Sequence, residues 1–148
     1  TRLVGSEMCI RDRKGEKLMN VFLKFIINMQ KEILMNKLEV IIKALDDKLA
    51  EDIVVIDMQL ASPIFDTFVI CSASNERLMN ALRDSVEDSC HENGYEVKKI
   101  EGLRNSKWLL MDYGDIVVHI FDADERNSYN LEKLWSDMPL IDVSKYLA

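Results

Sequence analysis

The sequence predicts one α/β domain with a mixed sheet of about five strands and about three helices, in the order α-β-β-α-β-β-β-α. Three observations carry that expectation. First, residues 108–121 (WLLMDYGDIVVHIF) read as two apolar arms folded back through Asp112-Tyr113-Gly114-Asp115. The arms are rich in branched and aromatic residues, and Gly114 supplies the positive φ of a tight hairpin. Second, a strand, a helix and another strand follow one another within residues 67–100, and such a unit needs a crossover, so one neighbouring pair is expected to be parallel. Third, residues 36–50 and 75–92 repeat apolar side chains at helical spacing.

Taken in order, Leu38, Ile41, Ile42, Leu45 and Leu49 form one apolar stripe on the first helix, with Asn36 as the expected N-cap and Glu39 as its capping-box partner. The β-branched run at 53–56 (IVVI) reads as a buried strand, and Ala61-Ser62-Pro63 as a turn that cannot continue a ladder. Residues 67–71 (TFVIC) are a second strand. Ser74 is the expected cap of the next helix, whose stripe is Leu78, Met79, Leu82, Val86 and Cys90, with Gly94 as its C′ residue. Residues 95–100 alternate weakly and suit a sheet edge. The two arms of the hairpin are nearly continuous in apolar character, which predicts cover on both faces. Tyr129, Leu131, Leu134 and Trp135 predict a last helix within 124–136, and Pro139 is expected to end regular structure, leaving a tail.

The domain is expected to span residues 35–143, with 144–148 as tail and Met35 as its start. Residues 1–13 (TRLVGSEMCIRDR) resemble translated sequencing-adapter read-through and are left out of the fold argument. Residues 18–29 (LMNVFLKFIINM) are apolar but interrupted by Asn20, Lys24 and Asn28, and fall short of the roughly 20 residues of a membrane span. Lysines precede them as in a secretory signal, yet no small-x-small site follows. Residues 1–34 are therefore expected to be a non-native, disordered or helical extension, with no membrane partner.

The chain holds 19 Lys and Arg against 26 Asp and Glu, a net charge of −7, which suits basic partners such as ribosomal proteins and argues against direct DNA binding. Three widely spaced cysteines imply neither a disulfide framework nor a metal pair, so a reducing cytoplasm is expected, with Cys71 a small buried hydrophobe.

Catalytic signals are sparse. The five glycines are not clustered into a phosphate loop, and no Gly-x-Ser-x-Gly elbow is present. His119 lies in an apolar strand, where a satisfied sheet histidine is the ordinary reading. Asp57, Asp66, Asp112 and Asp115 fall near strand ends and could gather around magnesium, although solvated turn acids are commoner. The element order resembles that of nucleotidyltransferases, whose metal site uses a Gly-Ser before a helix and an Asp-x-Asp beyond it. Here Ser72-Ala73-Ser74 stands at the first place, and the Asp122-Ala123-Asp124 pair comes only after the hairpin. No metal and no cofactor is expected. The aromatic residues Trp108, Tyr113, Tyr129 and Trp135 all lie in the C-terminal third beside acids, the pattern of an anchored protein-binding rim. A role for both tryptophans as caps of the core competes with that reading.

These stretches (DIVVID at 52–57, DTFVIC at 66–71, SNER at 74–77, Glu101-Gly102, the hairpin at 108–121, Glu125-Arg126 and YNLEKLW at 129–135) resemble the ribosomal silencing factor, or Iojap-like, family in the right order across residues 35–143. Phe65 and Thr67 depart from its usual Ala and Tyr. The resemblance implies a mixed-sheet α/β fold of nucleotidyltransferase-like topology without the catalytic residues, often a homodimer. It implies a non-enzymatic factor that docks on the large ribosomal subunit through ribosomal protein L-fourteen and blocks small-subunit joining when nutrients are scarce. It assigns Trp108, Leu110, Asp112 and Tyr113 to the partner-facing hairpin, with Glu132, Lys133 and Trp135 on a helix beside it. Two rivals remain: a magnesium-dependent nucleotidyltransferase using Asp57, Asp66 and Asp112, and a homodimeric scaffold.

Overall fold

The computed structural model describes the backbone of residues 2–102 and 105–147, and side chains from residue 15 onward apart from 34 and 35. Cys9 and the adapter-like residues 1–13 lie outside the described side chains. The chain divides into two units, residues 1–36 and 37–148.

The first unit is helical, belonging to α1 (Arg2–Asp47), and its described apolar side chains, Phe22 and Phe25 among them, are exposed apart from half-buried Ile26. None of the described helices is long and apolar enough to cross a membrane. Because α1 runs straight through Asn36, that residue caps nothing, contrary to the sequence expectation.

The second unit is built on a six-stranded sheet with strand order β3-β4-β5-β2-β1-β6. Its strands are β1 (Glu51–Asp57), β2 (Thr67–Ala73), β3 (Lys99–Glu101), β4 (Trp108–Asp112), β5 (Ile116–Asp122) and β6 (Leu140–Ile141). The β2–β5 pair is parallel and joined through the crossover helix α2 (Glu76–Glu92), and the other pairings are antiparallel, so the sheet is mixed as predicted. The sixth strand is a correction. Residues beyond Pro139 do not leave regular structure: Leu140 and Ile141 pair with Ile56 and Val55, and α5 (Ser144–Leu147) buries Tyr146.

One sheet face carries Val55, Val69, Cys71, Val118, Ile120, Leu109 and Met111, all buried, toward the helical layer. Leu38, Ile41, Ile42 and Leu45 of α1 and Met79, Leu82, Val86 and Cys90 of α2 complete that core, and Ser85 Oγ of α2 donates to Ala44 O of α1 at 3.0 Å. Leu49 does not belong to the stripe. It lies beyond the helix end at φ 61° and is exposed. The cap of α2 is Asn75 rather than Ser74, its side chain accepting from Leu78 N at 2.8 Å.

The predicted last helix is two. Asn130 adopts the left-handed conformation at φ 48°, separating α3 (Ala123–Tyr129) from α4 (Leu131–Leu134) and capping the latter. Asparagine and aspartate enter that region more readily than most other side-chain-bearing residues. The break turns α4 back over the opposite sheet face. There Leu131, Trp135 and Met138 pack on the buried cluster Ile56, Met58, Ile70 and Phe121.

Candidate functional site

The hairpin forms with the expected turn. Gly114 has φ 93°, and its N–H donates to the Asp112 carboxylate at 2.7 Å, so Asp112 holds the turn as well as lining the surface. Register then fixes the face. Trp108 pairs with Phe121, Leu110 with His119 and Asp112 with Val117, and these six side chains point to the side opposite α1 and α2.

Cover on this face is incomplete. In β5 every residue from Ile116 to Phe121 is buried, but β4 alternates, with Leu109 and Met111 buried and Trp108, Leu110 and Asp112 half-buried. Of the two arms, the predicted two-sided cover therefore holds for β5 alone: on β4 only Tyr129, at the end of α3, reaches Trp108, and Leu110 and Asp112 stay half-buried. What remains open is an aromatic shelf. The Trp108 ring stacks on Phe121 at 4.9 Å and meets exposed Tyr129 at 4.7 Å, while Phe68 touches His119 edge-on at 4.8 Å. An aromatic patch, partly wet and backed by a rigid sheet, is what an interface hot spot requires.

Of the other candidates, Trp135 packs half-buried beside the same cluster, and Lys133 is exposed on α4. Glu132 is held by Arg126, whose Nε and Nη2 lie 2.7 and 2.6 Å from Glu132 Oε1. Tyr113 does not join the shelf. It follows Asp112 by one residue, so alternation turns it to the helical side, where it is buried against Cys90. Burial, and next the neighbouring Cys90, raise its pKa far above the ordinary phenol value. It supports the hairpin from behind.

The acids suspected of metal binding are otherwise engaged. Asp115 pairs with Lys37 at 2.8 Å, and the Asp57 carboxylate accepts from Gln59 N at 3.0 Å. Asp66 is shifted upward by burial and then by Asp115 and Asp57. Among the described residues no group of three or more His, Cys, Asp or Glu is arranged to hold a metal ion. In the Ser72-Ala73-Ser74 stretch, Ser72 is buried and its Oγ accepts from Arg126 Nη1 at 2.8 Å. Arg126 stands in the Glu125-Arg126 motif, yet sequence reasoning gave it no role. It is buried at the floor of a cleft of about 380 Å³ lined by Glu51, Asp52, Ser72, Asn127 and Glu132.

His119 is buried, and burial alone lowers its pKa to about 4. The expected satisfied histidine is only half satisfied: Nδ1 accepts from Trp108 Nε1 at 3.2 Å, while Nε2 has no partner among the described residues. The folded state therefore keeps His119 neutral where the unfolded chain binds a proton below the ordinary value of 6.5. Stability from this group is complete above that value and falls as pH drops toward about 4. In urea titrations, wild type should lose ground to His119→Leu across that window, and an unchanged gap between the two would refute a neutral His119. Asp66 titrates in both proteins and cancels from the comparison.

The fold and the site define a mixed-sheet α/β domain whose open face is an aromatic shelf with Asp112 beside it. Comparison with known proteins narrows that class. A family model described as ribosomal silencing factor during starvation matches residues 31–148. The chain is 46% identical over 106 residues to a ribosomal silencing factor of Bacillus subtilis, covering 72% of this chain and 90% of that one. It is 31% identical over 104 residues to a mouse protein named mitochondrial assembly of ribosomal large subunit protein 1, covering 67% of this chain and 45% of that one. A crystal structure from Bacillus halodurans aligns with TM-score 0.65 at 39% identity, covering 73% of this chain and 98% of that one. The chain belongs to the ribosomal silencing factor family.

Proposed function

We propose that the chain is a regulatory, non-enzymatic factor of the cytoplasm that docks on the large ribosomal subunit and blocks small-subunit joining by occlusion. Ribosomal protein L-fourteen is the partner that its family resemblance suggests. The observation that carries the reading is the open shelf: Trp108, Leu110 and Asp112 on one strand, held by a rigid sheet beside Tyr129. Asp112 on this face favours a basic surface, in keeping with the net charge of −7. The names of the relatives support a ribosomal partner, and the mouse protein's name supports the large subunit. Occlusion asks no chemistry of the chain, which fits the engagement of Ser72 with Arg126 and of Asp115 with Lys37.

The test is cosedimentation of the purified protein with purified bacterial large subunits, followed by addition of small subunits. Binding with a reduced yield of joined ribosomes is expected. Absence of binding, or binding that leaves joining untouched, would end the proposal.

A further inference from the structure

His119 spends folding stability in a way that an apolar residue would not. It is only 4% exposed, lies across from Leu110, and sits between the edge of Phe68 and the parallel ring of Phe121. An indole N–H can only donate, so Nδ1 must be the acceptor from Trp108 and the single imidazole proton must reside on Nε2. That N–H is buried and has no acceptor among the described residues. Leucine at this place would bury no such orphan. Among the described contacts, what the imidazole offers and leucine cannot is acceptance of the Trp108 N–H.

Stacking alone would not fix the indole. Phe121 offers Trp108 a surface with no directional demand, and a ring turned over by half a rotation keeps much of the same stack. The hydrogen bond distinguishes the two, because only one places Nε1 at 3.2 Å from Nδ1. We infer that His119 is a positioning residue for partner docking: it selects one orientation of the Trp108 indole and so preorganises the open face. Affinity gained in this way comes from ordering done before the partner arrives. The inference rests on reading Trp108 as a partner contact.

Two readouts test it on the full chain. The two tryptophans give two indole ¹H–¹⁵N signals, and Trp108→Phe assigns the relevant one. In wild type this N–H should be protected from solvent exchange, in His119→Leu it should lose protection, and in His119→Asn, whose Oδ1 falls near the place of Nδ1, it should largely regain it. Cosedimentation with purified large subunits should show His119→Leu binding about fivefold more weakly, the equivalent of one ordinary hydrogen bond, with His119→Asn close to wild type. Circular dichroism confirms that each variant is folded. An indole signal indifferent to His119→Leu overturns the inference with no reference to ribosomes. So does unchanged affinity of His119→Leu beside a loss in Trp108→Ala, or an Asn variant as weak as Leu. A wild-type protein that fails to bind large subunits instead marks the failure of the proposed function itself.

Discussion

Trp108→Ala should reduce binding to the large subunit by roughly 30-fold or more, corresponding to a loss of about 2 kcal/mol or more for a central aromatic anchor. The expectation follows from its double situation. One side of the indole is seated on Phe121, and its N–H is fixed by His119, so the ring is rigid; yet the side chain is only half-buried and stands beside exposed Tyr129. A rigid, partly wet aromatic is costly to remove from an interface and cheaper to remove from a free protein. The variant should therefore remain folded, with its far-ultraviolet circular dichroism preserved and a modest decrease in unfolding midpoint. Retained affinity in a folded Trp108→Ala protein would displace the anchor from β4. Loss of folding would return Trp108 to the core, the role that competed with this one from the start. Tyr113→Ala, predicted from sequence to behave alike, should instead act through stability, because its ring faces Cys90 on the helical side.

That contrast shows what the sequence carried and what it did not. Local chemistry was legible. The Asp112-Tyr113-Gly114-Asp115 turn, the buried stripes of α1 and α2 and the parallel pair implied by the crossover are all present. So was the family, from short motifs in order. Features set by distant partners were not. Leu140 and Ile141 are too short to signal a strand, and they become one only because Val55 and Ile56 offer an open edge. A long apolar run in 108–121 could not reveal that Trp108, Leu110 and Asp112 of β4 would stay half-buried. One signal was available: pairing the arms about the predicted turn puts Trp108, Leu110 and Asp112 on one face with His119 and Phe121, and turns Tyr113 away. Left-handed Asn130 divided the last helix, and no periodicity in a short segment foretells that.

Arg126 was the least legible, because a charged residue reads as solvated until its neighbours are known, and it carries the second large expectation. Arg126→Ala should lower stability by about 3 kcal/mol, toward the low end of the cost of breaking a buried pair because Glu132 keeps partial access to water. The Arg126 side chain is 10% exposed against 37% for Glu132. Its guanidinium joins three elements at once: Ser72 Oγ on β2, the Glu51 carbonyl on β1 at 3.5 Å, and Glu132 on α4. Alanine leaves Ser72 buried without that donor and frees α4, which leads into Trp135 on the cluster of Ile56, Met58, Ile70 and Phe121. Arg126→Lys should recover only part, since an ammonium cannot reproduce a fork that reaches Glu132 and Ser72 together. Thermal and urea unfolding measure both. A change within about 0.5 kcal/mol would mean that the pair behaves as an exposed one, screened by solvent. If the loss appears, binding measured well below the unfolding midpoint should fall less than in Trp108→Ala, because Arg126 holds the frame of the shelf and does not reach its surface.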